Sequence, residues 1–161
     1  MAATTISTTT IDVATAVAAE INAPVSGTEW LDSGFVCQRK WLPSYTPAEL
    51  AANIRITVVP ISEKAKRIAR KLTERDHLVE LWMQKTVSAI PATRETAVTD
   101  LAAFAFQVKD YFLAAHRVLS TLANVHVTES EVDACYSPKD LAENNLWVGV
   151  IRLMLQERTN Q

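Results

Sequence analysis

The sequence predicts an α+β domain, a short and largely antiparallel β-sheet packed with two main α-helices. Three observations point there. Apolar residues recur at helical spacing in two segments, near residues 10–22 and 95–118. Five other segments alternate or run apolar at strand length, and the late links between them are hairpin-length. That order of elements suits helices packed on a largely antiparallel sheet.

The chain opens with Ala, Thr and Ser and little to bury, so Met1 to Thr8 reads as a flexible N-terminal arm and residues 9–161 as a single α+β domain. Val13, Val17 and Ile21 recur every fourth residue, with Ala14 and Ala18 beside them, which predicts a helix over 10–22. Thr9 can cap it, Asp12 complements its dipole, and Pro24 and Gly27 end it. Phe35 to Trp41 reads as a strand that stops before Pro43. Thr46-Pro47-Ala48-Glu49 has the order of a capping box with proline at the first helical position, so a short helix follows it. Ile54, Ile56 and Val58 alternate with Arg55, Thr57 and Val59 in a strand that Pro60 is expected to close.

Ser62 to Arg75 admits two conformations. As a helix it gathers Ala65, Ile68, Ala69 and Leu72 on one side and leaves the basic residues on the rest; as a strand it alternates poorly, and helix is the favoured reading. Val79, Leu81 and Met83 then form the apolar face of a strand. Leu101, Phe104, Ala105, Val108, Tyr111 and Phe112 predict the second main helix, over 95–118. Two strands complete the chain, one near 129–136 with Val132, Ala134 and Tyr136 in phase, and one over 146–155. Between them Ser137-Pro138-Lys139-Asp140 reads as cap, first helical residue and early acid.

Composition excludes several classes. Sixteen Lys and Arg against eighteen Asp and Glu leave a formal charge of -2, so no bulk field draws the molecule to nucleic acid or anionic lipid. No apolar run reaches the ~20 residues of a membrane span, and the N-terminus lacks the basic and apolar blocks of a signal peptide, so the expectation is a soluble, unprocessed chain without a membrane partner. Cys37 and Cys135 are too few for a disulfide framework or a paired metal motif and read as small buried hydrophobes in a reducing compartment.

Enzymatic chemistry finds little footing. Gly27, Gly34 and Gly149 are not spaced as a phosphate-cradling loop, and His77, His116 and His126 are scattered. Asp110, Glu129 and Glu131 read as a solvated face. The reading is therefore of a protein that is not an enzyme and has no catalytic, cofactor-binding or metal site. Two features invite contact instead. Lys64, Lys66, Arg67, Arg70, Lys71 and Arg75 place six positive charges in twelve residues, either a solvated face or a surface that meets DNA phosphates or an acidic partner. No aromatic residue lies among them to stack bases. Trp82 falls on the strand face opposite Val79, Leu81 and Met83, where a neighbouring subunit could cover it.

Several phrases, taken in order, carry a resemblance: Ala19-Glu20-Ile21-Asn22 closing the first helix, Ile56-Thr57-Val58-Val59-Pro60, Met83-Gln84-Lys85 closing a strand, Tyr136-Ser137-Pro138-Lys139-Asp140-Leu141, and the run Leu146 to Leu155. Together they resemble the small virion proteins of tailed phages known as tail terminator or tail completion proteins, over about Ile11 to Gln156. The resemblance implies an α+β subunit, without catalytic residues or cofactors, that assembles as a homo-oligomeric, sixfold ring joining the tail tube to the head or neck connector. It implies as partners further copies of the chain, the tail tube protein, head-completion or connector proteins, and DNA touched without sequence preference in the lumen. The expected location is the neck/tail junction of the virion, after synthesis in the host cytoplasm. A neighbouring neck role, adaptor or head closure, and a small nucleic-acid-binding accessory protein using residues 64–75 stay open beside it.

Overall fold

Thr9 begins the first helix as its sequence context predicts. Its hydroxyl accepts from the Asp12 amide, and the Asp12 carboxylate accepts from the Thr9 amide in return. The computed structural model describes residues 8–114 and 117–160, so the expected N-terminal arm falls outside the described residues except for Thr8. Among the described residues four helices and six strands follow: α1 (Thr10–Asn22), β1 (Phe35–Arg39), α2 (Pro47–Ala52), β2 (Ile54–Ala69), β3 (Leu72–Thr86), α3 (Pro91–Leu113), β4 (Val118–Leu119), β5 (Leu122–Ala134), α4 (Pro138–Asn144) and β6 (Leu146–Asn160). The class is α+β.

All six strands lie in one sheet, ordered β1-β2-β3-β6-β5-β4. It is mixed and largely antiparallel, because β1 pairs parallel with β2 while every other neighbour pair is antiparallel. The parallel pair follows from the short helix after Thr46, which returns the chain so that β2 starts level with the start of β1, Phe35 opposite Ile54. Two expectations are corrected. The sheet is not short, since four strands have 13 to 16 residues, and α2 and α4 join the two longer helices.

One sheet face holds the core. Ile56, Val58, Leu81, Met83, Ile151, Leu153 and Leu155 point to it and are wholly buried under Val13, Val17 and Ile21 of α1 and Phe104, Val108 and Phe112 of α3. Each such side chain contributes about 1.5–3 kcal/mol relative to an exposed position. The opposite face, hereafter the second face, carries Glu74, Asp76, Leu78, Glu80, Trp82 and Gln84 from β3, all partly exposed. Period two in β3 separates the faces cleanly.

The favoured helix over 62–75 is not formed. The segment is the distal half of a β-hairpin in which β2 runs on to Ala69 and turns through Arg70 and Lys71 into β3. The physical reason is non-local. β6 pairs with β3 along its whole length, to Leu72 opposite Asn160, so β3 is held extended and templates β2 in turn. Opposite charges face across the hairpin as well, Lys64 to Asp76 and Lys66 to Glu74. Pro60 does not close the strand because β1 pairing has already ended at Val58, and a proline is tolerated on such an unpaired edge beside the register shift at Ser62.

Smaller corrections have local causes. The first strand ends at Arg39, leaving Trp41 and Leu42 exposed. The second main helix spans 91–113, and residues 115 and 116 of its expected end, His116 included, lie outside the described residues. β5 starts seven residues earlier than expected, at Leu122, through a tight link to β4. A register shift between Val132 and Ala134 breaks their expected phase: Val132 pairs with core-facing Ile151 and Ala134 with Val150 of the second face.

Candidate functional site

The feature that projects from the body is the β2–β3 hairpin. Every residue from Ile61 to Lys71 is exposed, whereas the β3 strand beside it is partly covered by the end of β6. The hairpin divides the basic run between two faces. Lys64 and Lys66 stand on the second face, in line with Asp76 and Glu74 across the ladder. Arg67 and Arg75 stand on the other side. Arg75 reaches Glu63 at 3.9 Å, and Arg67 Nη2 donates to the Arg70 carbonyl at 3.1 Å, bracing the turn. Arg158 of β6 pairs with Glu74 at 3.1 Å. The positive charge that sequence shows as a block is thus interleaved with acids, and Lys64, Lys66, Arg67, Arg70 and Lys71 are all exposed.

Trp82 sits on the second face as its alternation predicts, but it is half-buried. Thr57 and Val150 flank it on the adjacent strands, and its indole Nε1 donates to Glu80 Oε2 at 3.0 Å. Trp82 is therefore wedged within the face rather than displayed on it.

At the far side of the sheet the second face is acidic. Glu129, Glu131 and Asp133 are exposed on β5. Arg152 of β6 lies 3.2 Å from Glu80, 3.6 Å from Glu131 and 3.5 Å from Asp133, and these carboxylates hold its guanidinium above the ordinary arginine value, the Glu80 hydrogen bond foremost. One cation shared by three acids leaves a surplus of negative charge. Between the basic and acidic margins the second face is hollowed into a groove of about 410 Å³, lined by Ser62 and Lys64 at one side and Thr128 and Glu129 at the other.

Two buried polar groupings escaped sequence reasoning. Glu20 is 1% exposed on the apolar side of α1. Tyr111 Oη donates to Glu20 Oε1 at 2.6 Å, and the Ser120 amide donates to Oε2 at 3.1 Å with the Ser120 hydroxyl on the same oxygen. Burial pushes the Glu20 carboxyl up, but the hydrogen bonds from Ser120 and Tyr111, with the Arg117 charge, hold it below the ordinary value. The signal was available, since Glu20 falls on the same helix stripe as Val13 and Val17. The second grouping joins Thr8, Thr10, His77, Asn124 and Glu157. Thr10 Oγ1 and His77 Nδ1 are 3.0 Å apart, Glu157 accepts from Thr8 and Asn124 at 3.0 and 2.7 Å, and His77 Nε2 faces Glu157 Oε2 at 3.7 Å. A hydroxyl, imidazole and carboxylate in line resemble a hydrolytic triad, but His77 and Glu157 are 0% and 2% exposed. The grouping ties the start of α1 to the hairpin base, where Thr10 Oγ1 also donates to the Ser62 carbonyl at 3.4 Å.

No protein-family model matches the chain, and no curated protein matches it.

Proposed function

We propose that the chain is a structural subunit of a tailed-phage virion, a tail terminator that assembles as a ring and joins the tail tube to the neck. The observation that carries this reading is the long hairpin exposed from Ile61 to Lys71, projecting from a helix-covered sheet whose two margins carry opposite charge. A subunit so built can meet a neighbour on each side. The phrases behind the resemblance support it by their placement: they form the end of α1, the start of β2, the end of β3, the entry to α4 and the body of β6. In this reading the hairpin tip borders the lumen, where Arg67, Arg70 and Lys71 touch passing DNA by Coulomb attraction without reading bases. The role is structural rather than catalytic, and the partners are further copies, the tail tube protein and a head-completion or connector protein.

Particles assembled without this protein test the reading. Filled heads accumulating beside unjoined tails are expected, with joining restored when the purified chain is added. Complete, infectious particles in its absence would overturn it.

A further inference from the structure

Besides the outer edges of β1 and β4, two longer stretches of sheet edge are unpaired among the described residues, and they lie on opposite margins. β1 covers β2 only as far as Val58, so β2 from Pro60 to Ala69 pairs with β3 alone. β4 covers β5 only as far as His126, with Arg117 accepting from the Val127 amide, so β5 from Thr128 to Ala134 pairs with β6 alone. Unpaired edges are templates for another strand. The first bears Lys64 and Lys66, two residues apart and both on the second face. The second bears Glu129 and Glu131, also two residues apart and also on the second face.

We infer that the β2 edge of one copy pairs with the β5 edge of the next, extending one continuous sheet through the ring, with Lys64 and Lys66 set against Glu129 and Glu131. This inference rests on the ring reading above and names the contact that builds it. Three features of the fold support it. β2 is antiparallel to β3, β3 to β6 and β6 to β5, so a neighbour in the same orientation brings its β2 antiparallel to this β5 with both second faces on one side. Matching each edge with itself is disfavoured: β2 on β2 opposes lysines and β5 on β5 opposes glutamates, and like charges directly opposite repel. A contact between two different edges is heterologous, and closing it by rotation gives a ring.

The registers also fit closure. Ala65, midway between the lysines, is level with Glu157 of β6 through Arg75, whereas Ser130, midway between the glutamates, is level with Leu153. Successive copies therefore stagger by four residues along the strands, and a sheet that closes on itself requires tilted strands and a constant stagger.

Charge exchange tests the pairing, because all four residues are exposed and their replacement leaves the core untouched. Sedimentation velocity is run on the full chain, on Lys64→Glu/Lys66→Glu, on Glu129→Lys/Glu131→Lys, on an equimolar mixture of the two variants, and on the chain carrying all four changes, with circular dichroism as a check of folding. Each double variant is expected to dissociate at concentrations about tenfold above those that dissociate the parent, as two attractive cross-strand pairs become repulsive. The mixture and the fourfold variant are expected to regain the parental assembly. An oligomer indifferent to all four exchanges would overturn this contact while leaving the ring reading standing. A parent that stays monomeric at every concentration would overturn both.

Discussion

The indole of Trp147 lies against Gly149, its neighbour on the same face of β6. A Cβ at Gly149 would come within 2.8 Å of Trp147 Cζ2, a separation that no side chain accommodates without a shift. Trp147 is wholly buried, and its Nε1 donates to the Cys135 carbonyl at 2.9 Å, so the ring is held from both ends.

Gly149→Ala is accordingly expected to lower stability by about 1–3 kcal/mol through overpacking, read as a lower urea midpoint with an unchanged slope. Pairing it with Trp147→Phe removes most of the clash. The double variant should then lose clearly less than the sum of the single losses, and additive losses would show that the contact is not the cause.

Glu20 sets an acid limit. Its folded carboxyl sits below the ordinary value of 4.5 because hydrogen bonds from Ser120 and Tyr111 and the Arg117 charge outweigh burial. A depressed folded value contributes stability that is fully present above 4.5 and is lost as pH falls through the folded value. Glu20→Gln should be less stable than the parent at neutral pH, and the gap should narrow on acidification. Stability curves measured from neutral to strongly acidic pH check this, and a constant gap would contradict it.

The caps differ in strength. Thr46 and Glu49 satisfy each other's amides at 3.3 and 2.8 Å, whereas the Asp140 amide reaches Ser137 Oγ only at 3.4 Å. Thr46→Ala should cost about 1 kcal/mol and Ser137→Ala less. Equal losses in thermal melts would contradict the ranking.

Thiol chemistry separates the cysteines. Burial pushes the Cys37 thiol up to about 12, whereas Cys135 is partly exposed. A thiol reagent at neutral pH should modify Cys135 in the folded protein and Cys37 only on unfolding. Two rapid modifications would show that the sheet opens at β1.

How far the sequence carries the fold can be read from particular residues. α1 was legible to the residue because Thr9, Asp12 and the Val13, Val17, Ile21 stripe all act within one helix. The hairpin was not, because Ala65, Ile68, Ala69 and Leu72 satisfy helical spacing equally well, and what decides against helix is β6, some eighty residues away. Pro60 misled for the same reason, since a proline ends an inner strand but not an edge, and edge position is a property of the assembled sheet. The candidate surface divides likewise. Lys64 and Lys66 were visible as a run, but their separation from Arg67 and Arg75 by the strand pleat was not. That Glu129 and Glu131 lie where β5 runs on past β4 with no outer partner was not visible either.

The central claim is that this chain closes into a ring of identical subunits. Native mass spectrometry of the purified chain, at several concentrations and without nucleic acid, measures it most directly. A dominant species of six chains, persisting on dilution and weakening as salt rises, is the expected result. A monomer at every concentration, or a twofold dimer insensitive to salt, would contradict it.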